Sequence, residues 1–396
     1  MPMTPTVNST VVDRSRRRFV QSLAALGGSV LWRPSGAAGT DGAFDRLLIL
    51  VELKGGNDGL NTVVPFADRE YLRLRPRLAI GRDRVLPLDE RTGLHPSLGP
   101  LLPLWQQREL AIVQGVGYPD PNLSHFRSIE IWDTASAADE TLDAGWLTRV
   151  FAAHAPPREF VADGIVVGSA EGGPLEGTGG RVIRLNDTAQ FLRQARLALP
   201  EGLASNAALR HILEVDRNVA HAARGLDAGG RLATTFPNGA FGNAVRTACQ
   251  AIASPGGVAA LKLSLGGFDT HVNQAGRHEA LLRELASGLV ALRAGLMEVG
   301  AWQRTLVMTY SEFGRRPREN DGGGTDHGTA APHLVLGGRV RGGLFGAPPR
   351  LDRLDGNGNL AFAVDFRALF ATVIERWWAL ESRSVLGGAF TPLPIV

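Results

Sequence analysis

Glu312, Asp326 and His327 fall in a stretch, Thr305 to Gly328, whose character changes abruptly. It opens as an apolar, β-branched run, Thr305 to Tyr310, that reads as a buried strand. It then turns charged, through Ser311-Glu312, Arg315-Arg316 and Glu319-Asn320-Asp321, before three glycines and Thr325-Asp326-His327-Gly328. Acids and an imidazole beyond the carboxyl end of a strand sit where open α/β sheets place their ligands. Oxygen and nitrogen donors together suit a divalent ion. A solvated, charged loop is the plainer alternative.

Two further loops repeat the pattern. Phe268-Asp269-Thr270-His271 follows the apolar run Leu261 to Leu265. In extended backbone Asp269 and His271 point to one face and reach one ion; an Asp capping the next helix beside a surface histidine is the alternative. His278, seven residues after His271, is placed to assist. Asp58 lies in the glycine turn Lys54 to Asn61, after the run Leu47 to Leu53. Carboxylates mixed with imidazoles suit zinc, manganese or a harder cation such as calcium, as one or two ions.

Ser124 is the candidate nucleophile. It follows a loop holding Pro119, Pro121 and Asn122 and starts a helix, where N–H groups and the helix dipole favour an anion. His125 and Arg127 complete the catalytic candidates, and Arg127 is suited to gripping a phosphate or sulfate fork-wise. A simple N-cap role for Ser124 stands as the equal alternative.

The elements that must position these loops alternate in type. Strand-like runs fall at 47–53, 110–115, 165–167, 261–265, 305–310 and 333–336. Helical patterns fall at 97–107, after Ser124, along Leu281 to Leu296, and near 365–378. This predicts a three-layer α/β fold with a mainly parallel sheet. The Ala-rich helical section over about 187–253 reads as an insertion capping the sheet.

The amino terminus reads as an address. Arg16-Arg17 within Ser15 to Gln21, a short apolar run to Trp32 and small residues at Gly36 to Ala38 form a twin-arginine leader over 1–38. It implies passage through the twin-arginine translocase to the periplasm or beyond, leaving 39–396 as the mature domain. Of 42 basic and 39 acidic residues, five and one lie in 1–38, which leaves 37 against 38. That balance argues against a nucleic-acid surface. The lone Cys249 excludes an internal disulfide, and no later segment is apolar enough for a membrane span.

Taken together, VELKGGNDGLNTVVP, GLHPSLGPLLPLW, NLSHFRSIEIWDT, GGFDTHVNQ, SEFGRRPREN and GTDHGTAAPHLVLGG resemble the exported bacterial family called domain of unknown function 1501. That family is grouped with the alkaline phosphatase and sulfatase superfamily. The resemblance implies an alkaline-phosphatase-like α/β sandwich and a metal-dependent hydrolase acting on a phosphate or sulfate ester of a small molecule or glycan. It implies Ser124 as nucleophile and Asp58, Asp269, His271, Glu312 and His327 as counterparts of metal ligands, with Glu52 competing for the place of Asp58. Phe313 stands where the superfamily has a ligand histidine, which points to one ion, or two held differently. A formylglycine sulfatase is disfavoured, because Cys249 lacks the Cys-x-Pro-x-Arg context. Two other classes stay open. One is a non-catalytic envelope-binding or assembly protein; the other is a metal-independent serine esterase suggested by Gly55-Gly56-Asn57-Asp58.

Overall fold

The structure is a computed structural model and describes residues 42–195, 207–226 and 231–396. The leader over 1–38 lies outside the described residues. Fourteen strands are described. They are β1 (Leu47–Lys54), β2 (Val63–Val64), β3 (Leu86–Pro87), β4 (Gly93–Leu94), β5 (Leu110–Gly117), β6 (Ala162–Val167) and β7 (Val182–Leu185). There follow β8 (Val258–Gly266), β9 (Thr305–Tyr310), β10 (Arg315–Glu319), β11 (Thr325–His327), β12 (Ala331–Leu336), β13 (Gly343–Phe345) and β14 (Val364–Asp365).

Nine of them form one sheet in the order β13-β5-β12-β9-β1-β8-β6-β7, with β14 beside β5. All pairings in it are parallel except those of β12, which runs antiparallel to both β5 and β9. The sheet is buried on both faces, and β1 shows why its sequence is a continuous apolar run. Leu47, Ile49, Val51 and Leu53 enter one core cluster, while Leu48 and Leu50 enter the other. Each such side chain contributes about 1.5–3 kcal/mol by leaving water.

Helix Gln274–Glu298 crosses from β8 to β9, the two strands flanking β1, and buries Leu282, Leu285, Leu289, Leu292 and Leu296. Its apolar side shares the first cluster with Phe191, Ala222, Phe241 and Val245, from the helices Thr188–Ala195, Ala207–Gly225 and Ala240–Ala253. The helical section over 187–253, in its described part, thus covers one face of the sheet. None of its described residues lines the cleft described below. Helices His125–Thr134 and Trp146–Ala153 cover the opposite face. No helix among the described residues is long and apolar enough to cross a membrane.

Two expectations change in detail. The charged run after β9 is a hairpin, β10 against β11, not a loop. The closing helix spans nearly the expected residues but changes type, α over Phe366–Ala371 and π over Thr372–Trp377.

Candidate metal and active site

Because β1, β8 and β9 are parallel and in register (Glu52 opposite both Ser264 and Tyr310), their carboxyl ends open on one edge. The loops 55–58, 267–273 and 311–314 therefore meet there. The antiparallel β12 begins at the same edge, with Ala331 opposite Val116 of β5. This brings the 327–330 segment and the 118–124 loop to the same place. The approach is close enough to require glycine. A Cβ on Gly55 (φ +117°) would stand 2.4 Å from the Asp269 amide nitrogen, and one on Gly56 (φ +77°) 2.4 Å from the Phe313 ring.

His125, Asp269 and His327 converge at that edge, with one ligand atom from each lying within 4.8 Å of the others. His125 Nε2 and His327 Nε2 stand 3.5 and 3.4 Å from Asp269 Oδ1. His271 Nε2 joins them, 3.0 Å from the same oxygen and 2.9 Å from His327 Nε2. Both flanking histidines are held from behind. His125 Nδ1 is 2.8 Å from Glu312 Oε1, and His327 Nδ1 is 2.8 Å from the Leu123 carbonyl. Each Nδ1 thus carries the proton, and each Nε2 lone pair faces the cluster, the arrangement of histidines that bind metals. His125 Nε2 is buried without a hydrogen-bond partner. A buried, unsatisfied imidazole nitrogen aimed at a carboxylate and another imidazole fits a metal ion, and the residues present therefore suit one.

The surroundings fix these groups. Glu312 is buried and its two oxygens accept from the Gly55 amide at 2.9 and 3.1 Å. The helix bearing His125 is anchored by Trp132, stacked on Phe366 at 4.4 Å, and by Ser128, whose hydroxyl bonds Tyr118 and donates to the Glu312 carbonyl. Phe313 packs against both imidazoles, 4.9 Å from His125 and 4.6 Å from His327. Glu312 hydrogen bonding raises the His125 pKa, whereas burial lowers that of His327. Burial pushes the Asp269 carboxyl up, but Arg315 outweighs it and holds the group down at about 2.

The remaining expected residues take other places. Glu312 orients His125 from outside the cluster. Asp326 is exposed, 3.6 Å from His271 Nδ1, and accepts from Asn320 at 3.0 Å. Asp58 is wholly buried and gripped two-pronged by Arg75 at 2.6 and 2.9 Å, so it does not reach the cluster. Glu52 pairs with Lys262 at 2.8 Å inside the sheet. His278 is buried against Asn57 Oδ1 at 2.9 Å, and burial pushes it down to about 4. Ser124 begins its helix without making a side-chain cap bond. Arg127 turns away, pairing with Glu130 at 3.0 Å and donating to the Ala138 carbonyl at 3.1 Å.

The guanidinium that does sit in the cluster is that of Arg315, 2.6 Å from Asp269 Oδ1 and fully buried. In the sequence it is one of three arginines within residues 315–318, with nothing local to single it out.

A cleft of ≈ 630 Å³ opens beside the cluster, between the helix His125–Thr134 and the loop carrying Glu171 and Gly173. Phe126 stands at its wall, 88% exposed.

Comparison with known proteins finds distant likenesses among solved structures. One is the C-terminal periplasmic domain of EcEptC from Escherichia coli in complex with Zn (10% identity, TM-score 0.34, 74% of this chain and 72% of that one). Another is the lipoteichoic acid synthase LtaP from Listeria monocytogenes (11%, 0.34, 82% and 74%). A third is the alkaline phosphatase of the Antarctic bacterium TAB5 (12%, 0.34, 76% and 94%). No curated protein matches the chain. The sequence model of the protein of unknown function DUF1501 matches residues 89–387, and the chain belongs to that family.

Proposed function

We propose that the protein is an exported, metal-dependent hydrolase of phosphate or sulfate esters. The observation that carries this reading is the convergence of the His125 and His327 Nε2 atoms on Asp269, each imidazole fixed by an oxygen behind it. Imidazoles with one carboxylate favour zinc or manganese over calcium, which prefers oxygen ligands. When bound, a divalent ion supplies positive charge where negative charge develops on the transferred group.

The chain's own residues do the rest. Glu312 and the Leu123 carbonyl hold the protons of His125 and His327 on Nδ1. Arg315 keeps Asp269 ionised, and Phe313 buttresses both rings. Ser124 is the proposed attacking group. Its amide is fixed by Asn122 Oδ1 at 2.9 Å, its hydroxyl is not spent on a cap, and both its neighbours are bonded into the cluster. In the reaction the Ser124 oxygen bonds to phosphorus or sulfur as the ester bond breaks, its proton ends on the leaving oxygen, and water then breaks the seryl ester, which releases the acid and restores the hydroxyl.

The test is hydrolysis of 4-nitrophenyl esters before and after chelation. Activity should vanish on chelation and return with zinc or manganese. Ser124→Ala should lower it about a hundredfold or more while metal content is retained. Equal rates in that variant would assign the attack to water instead. Activity that persists through chelation would remove the metal-dependent reading.

A further inference from the structure

Charge at the cluster is balanced in a way that limits both the metal and the ester. Asp58 has its carboxylate closed by Arg75 at 2.6 and 2.9 Å and by the Gln274 amide, and neither charged partner is exposed. It offers no free oxygen to an ion.

Arg315 is equally committed. Its Nε donates to the Gly56 carbonyl at 2.8 Å. One terminal nitrogen bonds the Thr325 carbonyl at 2.9 Å and faces His271 Nε2 at 3.4 Å. The other bonds the Gly55 carbonyl and Asp269 Oδ1. All five donors of the fork are thereby used. Its charge is permanent, buried, and 2.6 Å from the carboxylate shared by three imidazoles. A second divalent ion on the far side of Asp269 would meet that charge in place of a ligand. Among the described residues a single group of three has ligand spacing.

We infer that the site holds one divalent ion, with Arg315 as a built-in second cation, and is matched to an ester carrying a single negative charge: a phosphodiester or a sulfate monoester. This rests on the hydrolase reading proposed above. The ion brings two positive charges and Arg315 one. The carboxylates of Asp269 and Glu312 each remove one, and imidazoles that ligate are neutral. One positive charge remains, which balances one negative charge on the bound group and leaves a phosphate monoester dianion over-charged.

The experiment has two arms on the full mature protein. Manganese is titrated into metal-free protein and followed by electron paramagnetic resonance and native mass spectrometry, with Asp269→Asn as control. One equivalent with the signal of an isolated ion, lost in the variant, is expected. Two equivalents, or a spin-coupled pair, would overturn the inference.

In the second arm kcat/KM is compared for bis(4-nitrophenyl) phosphate, 4-nitrophenyl sulfate and 4-nitrophenyl phosphate. One of the first two should exceed the third by about tenfold or more, and which of them does so identifies the source of the single charge. A preference for 4-nitrophenyl phosphate would overturn the match while leaving the hydrolase reading in place. Turnover of none of the three, with one equivalent bound, would overturn the hydrolase reading and the ester assignment with it.

Discussion

A histidine serves a metal only if its lone pair is aimed, and here the aiming is done by Glu312 and the Leu123 carbonyl, 2.8 Å behind His125 and His327. Removing an orienting group of this kind weakens metal binding about 10–100-fold. Glu312→Gln is therefore expected to lower affinity by that factor, measured by competition with a chelator, whereas His327→Ala should reduce it far more. Equal affinities in Glu312→Gln and wild type would mean that the carboxylate does not orient the ring. At this scale the sequence shows residue types well and partners poorly. Asp269, His271 and His327 are legible because each follows or precedes an apolar strand. Arg127 and Arg315 are the same residue type, the first in the helix that follows β5 and the second at the start of β10. Only the fold turns the first towards Glu130 and buries the second against Asp269.

Elements explain the other misplacements. Asp58 sits at the end of a glycine turn, as a ligand would, yet Arg75 from 17 residues later closes on it. Breaking such a buried pair from one side costs about 3–5 kcal/mol. Asp58→Asn should thus lower the unfolding free energy by roughly that amount in denaturant titration, while the folded variant keeps its metal. Loss of metal with full stability would make Asp58 a ligand after all. The hairpin β10–β11 hides for a related reason. Its alternation is present, but the residues facing inwards are Arg315, Pro317 and Glu319: Arg315 donates to the Gly56 carbonyl, the Pro317 carbonyl accepts from the Arg75 guanidinium, and Glu319 accepts from the Leu78 amide. A strand whose inner face is charged carries no hydrophobic periodicity to read. The strands β1, β5, β8 and β9 do, because both their faces are covered.

For the molecule as a whole, the sheet's two-sided burial makes the three layers readable, while the antiparallel direction of β12 depends on pairings remote in sequence. That burial also sets a pH response. His278 and His333 are pushed down to about 4 and about 3, in both cases mainly by burial. Their folded pKa values lie below the unfolded value near 6.5, so as pH falls the unfolded chain takes up protons first. Stability from these two groups is unchanged above about pH 6.5. Below it, each costs about 1.4 kcal/mol per pH unit until its folded value is reached. His333→Phe should remove one proton's share of that slope between about pH 6 and 4, read from urea titrations; an identical slope would show His333 to be protonated in the folded protein. The claim on which the functional account rests is that a divalent ion is held by His125, Asp269 and His327. Elemental analysis of the protein purified after export, set beside the His125→Ala, His327→Ala double variant, tests it most directly. The account predicts one equivalent of zinc or manganese in the wild type and none in the variant; a metal-free wild type under metal-replete growth, or equal content in the two, would contradict it.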